Sequence, residues 1–437
     1  MKSICAVAPF VLALSIVCQG QTDTPVVSSQ APAVAALSVD DAVTEALQAN
    51  PEIRASVRRL TLAQLKTTTA RSLDDPIFMA RDWDTPLRKP WDLNQAQMML
   101  SLQQTFLSKE KRNVRAKVAV DDVELAESDL ESMRQEVSAE VRKACADLKR
   151  NADEMKLHDR QSTVLKEALA AALAQYTTGK VPQADVLRAQ MALTLLNEHL
   201  IELEEERDDS RAQLNVMLGR HPDEAIEITG GYASPANLPS IEELERLAFE
   251  HRPELAALRK VVAKSQHQGQ AARLAMKPDF TVALGYMIMP AGSTFRNAYM
   301  AEMTMNVPWL NRERHDGESR QADAASEVSQ AELDARTSAV FLEVREAQIG
   351  ILASERRVKV YRDTLLPQSE AAFKAATTAY QNNRGEFMAL IESQNLLLDV
   401  QTALYKAQSA TDAGIAQLER AVGSPINAKP ETERTSK

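Results

Sequence analysis

Apolar residues recur at alternating intervals of three and four positions over most of the chain. The clearest series lies in the first half and consists of Val123, Ala126, Leu130, Met133, Val137, Val141, Ala144 and Leu148. No proline interrupts residues 107–176, and at about 1.5 Å per residue a helix over that segment is roughly 100 Å long. The pattern predicts a very long helix whose seven-residue seam packs against other helices as in a coiled coil.

A second pattern, with a period of two, predicts short strands. Residues 280–289 alternate large apolar side chains with small or polar ones, and residues 299–307 return after a Pro-Ala-Gly turn. In the first half, residues 77–81 and 96–106 flank a polar loop that contains prolines. We therefore expect four strands per chain.

The two halves of the chain are copies of one pattern. Asn50-Pro51-Glu52 recurs as Arg252-Pro253-Glu254, 202 positions later. A further set recurs at a spacing of 204: Tyr176, Gln190, Leu193, Leu200, Leu214 and Gly219 return as Tyr380, Gln394, Leu397, Leu404, Leu418 and Gly423. The repetition predicts a duplicated fold.

Each copy is predicted to contain an opening helix, two strands, a long helix, a tight turn and a second long helix. The opening helices are expected at residues 39–71 and 241–276. We place the first structural repeat at residues 37–236 and the second at 237–425, followed by a C-terminal tail at 426–437.

The N-terminus has the features of an export signal. Lys2 precedes a short apolar run and then small and polar residues, which predicts a signal peptide over residues 1–20 and a flexible leader over 21–36. Cleavage there leaves Cys145 as the one cysteine, so packing rather than a disulfide must hold the fold. The alternative is a lipidated Cys18. No later segment carries 18 uninterrupted apolar residues, so no membrane-spanning helix is expected.

Composition and motifs exclude several function classes. A net charge of −10 argues against nucleic acid as a partner, and 13 glycines argue against a glycine-rich phosphate-binding enzyme. Glu198-His199 lacks the second histidine of a zinc motif, and no nucleophile motif is present. We expect no enzymatic activity, no cofactor and no metal site.

Methionines concentrate in the strand segments: Met79, Met98, Met99, Met287, Met289, Met300, Met303 and Met305. Thioethers bind soft ions such as Cu(I) or Ag(I), so a metal path is one interpretation. We favour the other, in which methionine fills apolar gaps, because these residues alternate between the two faces of their strands.

The strands predicted for one chain are too few to form a closed membrane-spanning barrel. Four strands do not close a barrel, and open strand edges are not tolerated in hydrocarbon. Three chains supply twelve strands for a closed transmembrane barrel and enough long helices for a tube. The pattern therefore predicts a homotrimer with one end in a membrane.

Four segments carry a resemblance to a known family: the Asn-Pro-Glu at 50–52, YTTGKVPQADVLRAQ at 176–190, LNVMLGR at 214–220 and VPWLNRER at 307–314. In this order and repetition, the chain resembles TolC-type outer-membrane efflux factors, and residues 307–312 are most similar to the heavy-metal, CzcC/CusC-like branch. The resemblance implies a mainly α fold, with a 12-stranded β-barrel, four strands per chain, continuous with a long α-helical barrel.

The same resemblance implies a passive exit duct that runs from the outer membrane of a Gram-negative bacterium into the periplasm. It would export metal ions or drugs together with a periplasmic adaptor and an inner-membrane pump of the resistance-nodulation-division class. Two alternatives remain open at this point: the outer-membrane duct of a type I protein-secretion system, and a periplasmic coiled-coil adaptor or scaffold.

The two hairpin turns are the candidate functional sites. The periplasmic tip, which the resemblance assigns to adaptor contact, is expected to comprise Gly179, Lys180, Pro182, Asn383, Arg384 and Gly385. Asp185, Tyr380 and Glu386 are expected at the pore gate, where three copies of each acid would form cation-selecting rings and Tyr380 and Arg384 would latch helices together. The alternative for each charge is a solvated coiled-coil face. Leu187, Leu193 and Leu195 are expected in the core.

Overall fold

The computed structural model describes residues 35–83, 97–230, 238–295, 297–382 and 384–426. The predicted signal peptide, Cys18, most of the leader, the loop between the first two strands, Asn383 and residues 427–437 lie outside the described residues. The described chain is mostly helical, as the sequence predicts.

The described part of the first half contains four strands and four helices. In chain order these are β1 (Ala35–Ser38), α1 (Val39–Ala49), α2 (Pro51–Arg71), β2 (Ile77–Trp83), β3 (Gln97–Phe106), α3 (Lys109–Thr177), α4 (Gln183–Met217) and β4 (Ile226–Thr229). The 69-residue α3 confirms the predicted long helix.

The second repeat follows the same plan. It contains α5 (Ile241–His251), α6 (Pro253–Leu274), β5 (Phe280–Ile288), β6 (Asn297–Met305), a 3₁₀ turn (Pro308–Asn311), α7 (Arg312–Val360), a π turn (Tyr361–Leu365), α8 (Leu366–Gln381) and α9 (Phe387–Val422). The π turn lies just before Pro367, whose missing N–H cannot join a regular helical ladder.

The structure differs from the sequence expectation in two places. Each opening helix is in fact two helices, because Asn50 and Arg252 adopt non-helical conformations before Pro51 and Pro253. The residue before a proline is disfavoured in the α region, which accounts for both breaks. In addition, β1 and β4 form a parallel two-stranded sheet that pairs residues 35–38 with 226–229. Its strands are only four residues long and show no readable period.

The four predicted strands form one antiparallel sheet in the order β2-β3-β5-β6. The central pair, β3 with β5, joins the two repeats, and Leu102 lies opposite Leu284 in its register. Within the described residues β2 and β6 pair on one side only. No helix among the described residues is both long enough and apolar enough to cross a bilayer.

The duplication is visible in the packing of the core. One cluster contains Ala42, Ala46, Ile53, Val137, Val141, Leu148, Leu214 and Leu218. The repeat-equivalent residues, Leu244, Ala248, Leu255, Val340, Val344, Ile351, Leu418 and Val422, form a second cluster. In each repeat the core therefore forms where the opening helices pack against the two long helices.

The helix break also fixes the end of the returning long helix. Asn50 accepts hydrogen bonds from the backbone of Glu52 and Ile53 and donates one to the carbonyl of Met217 (3.0 Å). At the equivalent place, the guanidinium of Arg252 donates to the carbonyl of Ala421 (3.1 Å). Two different side chains thus satisfy the same helix-end carbonyl, which would otherwise remain unpaired.

Glycine is required beside these breaks. Gly219 has φ +72°, and a Cβ there would lie 2.8 Å from the carbonyl oxygen of Ala49. At Gly179, φ is +68° but a Cβ would meet nothing within 4 Å. The two positions share one backbone conformation and differ in the space around it.

Gly219→Ala should therefore destabilise the protein more than Gly179→Ala. The left-handed conformation costs a non-glycine residue about 1 to 2 kcal/mol at either position, and forced displacement of the backbone adds about 1 to 3 kcal/mol at position 219. Thermal unfolding of the two purified variants measures the difference. Equal losses would contradict the close approach of the chain at Ala49.

A cavity of about 380 Å³ lies between α3, α7 and α9, midway along the long helices. Lys149, Glu355, Arg362 and Asp412 contribute to its wall. Burial raises the pKa of the Asp412 carboxyl from 3.8 to about 6, and the charge of Lys149 offsets only part of this shift. Because the folded pKa is above the unfolded one, the neutral carboxyl stabilises the fold below about pH 4, and this contribution is lost as the pH rises through about 6.

Asp412→Asn should remove this pH dependence. Near pH 4 the variant and the native protein should unfold at similar temperatures, whereas near pH 7.5 the variant should be more stable by up to about 3 kcal/mol, at about 1.36 kcal/mol per pKa unit. Calorimetric unfolding across this range measures the effect. Asp399→Asn, at an exposed position of the same helix, is the control, and a pH-independent difference for Asp412→Asn would contradict the prediction.

Candidate functional site

The turn between α3 and α4 is closed by backbone hydrogen bonds. The N–H of Gly179 donates to the carbonyl of Tyr176 (2.9 Å), and the N–H of Lys180 donates to that of Gln175 (3.0 Å). The positive φ of Gly179 permits this closure. Lys180 and Pro182 are exposed, and Pro182 immediately precedes α4. The turn therefore presents one cation and a rigid backbone to its surroundings.

The turn between α8 and α9 is tighter around its glycine. The N–H of Arg384 donates to the carbonyl of Ala379 (2.9 Å), and a Cβ on Gly385 would lie 2.9 Å from the Cβ of Ala379. Arg384 is exposed, so this turn also presents a cation. Both turns occupy corresponding ends of their hairpins, as the sequence predicts.

A buried cluster, here called the tip cluster, joins the two hairpins below the turns. It consists of Leu165, Ala172, Val186, Ala189, Leu196, Tyr380, Phe387, Leu390 and Ile391. Just below it, the amide of Gln394 donates to the amide oxygen of Gln161 (2.9 Å), which links α9 to α3. The two turns are therefore held by one shared core.

Tyr380 lies inside the tip cluster. Its ring is only 6% exposed and packs edge-on against Phe387, with 5.5 Å between ring centroids. The hydroxyl has no hydrogen-bond partner among the described residues. Burial raises the pKa of this phenol, and the negative charge of Asp185 raises it further. Tyr380 and Asp185 are thus brought together across the two hairpins.

The two predicted gate acids have different surroundings. Asp185 lies in the first turn of α4, its side chain is 14% exposed, and it is 3.4 Å from the guanidinium of Arg188. Glu386 lies directly before α9, is exposed, and has no ion pair among the described residues. Glu386 therefore has the freer carboxylate of the two.

Sequence equivalence does not predict burial at the tips. Tyr176 is 43% exposed, although its repeat partner Tyr380 is buried. The expectation that Leu187 and Leu195 belong to the core is wrong for the single chain, since they are 51% and 59% exposed. Helix α4 contributes Val186, Ala189 and Leu196 to the tip cluster instead, and these residues lie on a different face. Leu193 packs partly buried against the cluster.

The sheet has two chemically distinct faces. Residues opposite one another in register share a face, and one face, here called the apolar face, carries most of the large side chains. Its apolar members are Phe78, Ala80, Met98, Leu100, Leu102, Phe106, Phe280, Val282, Leu284, Tyr286, Ile288, Tyr299, Ala301, Met303 and Met305. Polar residues on this face, Asp82, Gln104 and Asn297, lie towards the ends of the strands.

The opposite, polar face carries Ser101, Gln103, Thr105, Thr281, Glu302 and Thr304. The hydroxyls of Thr105 and Thr281 lie 3.0 Å apart across two strands. Many residues of the apolar face are exposed in the single chain, including Leu284, Tyr299 and Met303. An exposed apolar surface of this extent marks a region made to contact lipid or another protein.

The methionines divide between the two faces. Met98, Met303 and Met305 lie on the apolar face, whereas Met79, Met99, Met287 and Met300 lie on the polar face. This division agrees with the alternation read from the sequence and disfavours a single thioether stripe. On α4, one potential ligand atom from each of Glu198, His199 and Glu202 lies within 4.8 Å of the others, all on exposed side chains. Such a cluster is common on helix surfaces, and we assign no metal to it.

The comparisons with known proteins agree with this architecture. The crystal structure of the outer membrane protein VceC from Vibrio cholerae superposes with a TM-score of 0.74 at 19% identity, covering 89% of this chain and 97% of that one. The open state of the MtrE outer membrane channel of Neisseria gonorrhoeae gives a TM-score of 0.70 at 14% identity, covering 89% of each chain. These likenesses concern the fold.

Sequence comparison identifies the family. The cobalt-zinc-cadmium resistance protein CzcC of Cupriavidus metallidurans is 22% identical over 387 residues, which are 89% of this chain and 90% of that protein. The sequence profile of the outer membrane efflux protein family matches residues 42–220 and 244–424, one match in each repeat. The chain belongs to the outer membrane efflux protein family.

Proposed function

We propose that the protein is a homotrimeric exit duct of a tripartite efflux system, with its sheet in the outer membrane and its long helices in the periplasm. The observation that carries this proposal is the four-stranded sheet with one apolar face and two open edges. The polar face then lines an aqueous path, as it does in transmembrane barrels.

The open edges favour assembly. In hydrocarbon each unpaired backbone group costs several kcal/mol, so β2 and β6 need partner strands there. A second copy offers the complementary edge, and three copies of the four-stranded sheet give the twelve strands of a closed barrel. The exposed apolar face would turn outward towards lipid.

The helices support the same assembly. Near the sheet they pack in the order α2, α3, α6 and α7, which leaves α2 and α7 as the outer members of a row. Exposed apolar residues such as Leu62 and Leu65 of α2 and Val328 of α7 lie on these outer helices. Neighbouring copies would cover them and extend the row into a tube.

The transported class is inferred from the relative whose name states it. CzcC is a cobalt-zinc-cadmium resistance protein, and we propose divalent metal cations as the cargo here. A passive duct needs an energy source elsewhere, which we assign to a pump of the resistance-nodulation-division class and a periplasmic adaptor. The adaptor alternative for this chain itself is disfavoured, because an adaptor is expected to carry one helical hairpin, whereas this chain has two.

The turns would form the periplasmic end of the duct. Gly179, Lys180, Pro182, Arg384 and Gly385, together with Asn383, are proposed to contact the adaptor. Tyr380 and Asp185 are proposed to hold the two hairpins together in the closed state, because they lie close to one another on different hairpins and Tyr380 packs in the tip cluster. Glu386 is proposed to form an acidic ring in the trimer.

Leu284→Lys should prevent stable insertion of the sheet. Leu284 is an exposed residue near the centre of the apolar face, and a lysine in the middle of a bilayer costs a barrel about 2 to 4 kcal/mol. The measurement is the amount of trimer recovered from outer membranes. Glu302→Lys, one rung away on the polar face, is the control and should assemble normally. Equal recovery of both variants would contradict the assignment of the faces.

Glu386→Gln should reduce the preference of the reconstituted channel for cations. An acidic ring raises the local cation concentration at the pore mouth, so removing three carboxylates should shift the reversal potential in a salt gradient. Planar-bilayer recordings of the trimer measure this shift. Glu392→Gln removes an exposed carboxylate six residues further along the same helix and should have a smaller effect. A soluble, non-conducting monomer would contradict the whole proposal.

A further inference from the structure

A cleft of about 670 Å³ opens between α2, α3 and α6 at the end of the helices nearest the sheet. Arg71 ends α2 six residues before β2, and Lys109 begins α3 three residues after β3. The cleft wall contains four basic side chains: Arg71, Lys109, Arg112 and Lys117. These four side chains form a positively charged patch close to the sheet.

These four cations have no ion pair among the described residues, whereas several basic residues near them do. On the same helices Lys111 pairs with Asp279 (2.7 Å) and Arg115 with Asp74 (3.5 Å). Lys264 of α6 pairs with Asp122 (2.6 Å). The carboxylates of Asp279, Asp74 and Asp122 are thus paired with cations that do not line the cleft.

The two carboxylates of the cleft wall are also engaged. Asp121 is 6% exposed and hydrogen-bonded to the ring of His267 (2.6 Å). Glu124 is paired with Lys260 (2.5 Å). Moreover, the Nε of Arg112 is buried without a hydrogen-bond partner. The cleft therefore retains positive charge that no carboxylate neutralises among the described residues, and an anion would compensate it.

The floor of the cleft lies on α3, which has α2 on one side and α6 on the other. In the proposed trimer a neighbouring chain adds beside α2 or α7, the outer members of the row. Helix α3, which forms the floor, is not one of these joining helices, so the proposed assembly does not itself require the floor to be covered.

We propose that this cleft binds a phosphate group. Guanidinium and ammonium groups form short, charge-assisted hydrogen bonds with phosphate oxygens, and Arg112 can add a planar fork. The position beside the sheet favours the phosphate of a lipid headgroup, because basic pockets at a membrane boundary attract anionic lipids. Free inorganic phosphate offers the same chemistry from solution, and the experiment distinguishes the two sources.

The test measures binding to the purified full-length protein in an uncharged detergent. Inorganic phosphate and short-chain phosphatidylglycerol, kept below its micelle concentration, are titrated separately and in competition by calorimetry. Both should bind and compete for one site. Tighter binding of the lipid assigns the site to a headgroup, whereas binding of phosphate alone assigns it to the free anion. The double variant Arg112→Gln with Lys117→Gln should weaken binding by about tenfold or more, as expected from losing two charge-assisted contacts.

A matched control exists on α2. Arg58→Gln with Lys66→Gln removes the same two residue types at exposed positions outside the cleft and should leave binding unchanged. If the cleft variant does not assemble, the native protein still provides a test: bound lipid or phosphate should protect Lys109 and Lys117, but not Lys66, from acetylation. Absence of binding by the native protein, equal weakening in both double variants, or no selective protection would overturn the proposal. None of these readouts depends on conductance, so they stand apart from the test of the duct.

Discussion

The constraint on which the protein depends is the pairing of strand edges in a medium without water. In the proposed duct the sheet turns its apolar face towards lipid, but its β2 and β6 strands pair on one side only in the described chain. Water can satisfy such edges and hydrocarbon cannot. A sheet with this apolar face is therefore stable in a membrane only when other copies complete it, and the proposed trimer follows from that requirement.

Both repeats hold the end of their returning long helix in the same way. In each repeat the returning helix ends against a proline-induced break, where the side chain of Asn50 or Arg252 caps its last carbonyls. Arg252 is further held by Glu254 (3.0 Å) and Glu343 (2.6 Å). Such a buried cation remains stable because its partners are in contact, and losing one partner would leave an uncompensated charge. The breaks thus fix where each returning long helix ends.

The two repeats differ in the burial of equivalent residues at their tips. Tyr176 and Tyr380 are equivalent in sequence, but Tyr380 alone is buried against Phe387. The cluster at the tip draws residues from both hairpins, so one hairpin supplies the aromatic core and the other packs around it. If the tips close the pore as proposed, this asymmetry would give the two hairpins different contacts in the closed state. At the other end of the long helices, near the sheet, the cations of the cleft provide the proposed phosphate site.

Several features were determined by the sequence itself, because they depend on periodicity and local chemistry. The heptad seam of α3, the alternation of β5, the glycine turns and the repeat of 202 to 204 positions predicted the long rods, the four-stranded sheet and the family. The sequence also placed both hairpin turns at one end, since repeated elements of equal length end together.

Only the tertiary structure decided which copy of each repeated residue is buried, because burial depends on which helices become neighbours. It exposed Leu187 and Leu195, buried Tyr380, and brought Asp185 beside that phenol. It also paired β1 with β4 across almost the whole first repeat, and it left Arg112 and Lys117 without a carboxylate partner in the part of the chain that the structure describes. These outcomes rest on contacts between residues far apart in the chain, and no local pattern encodes them.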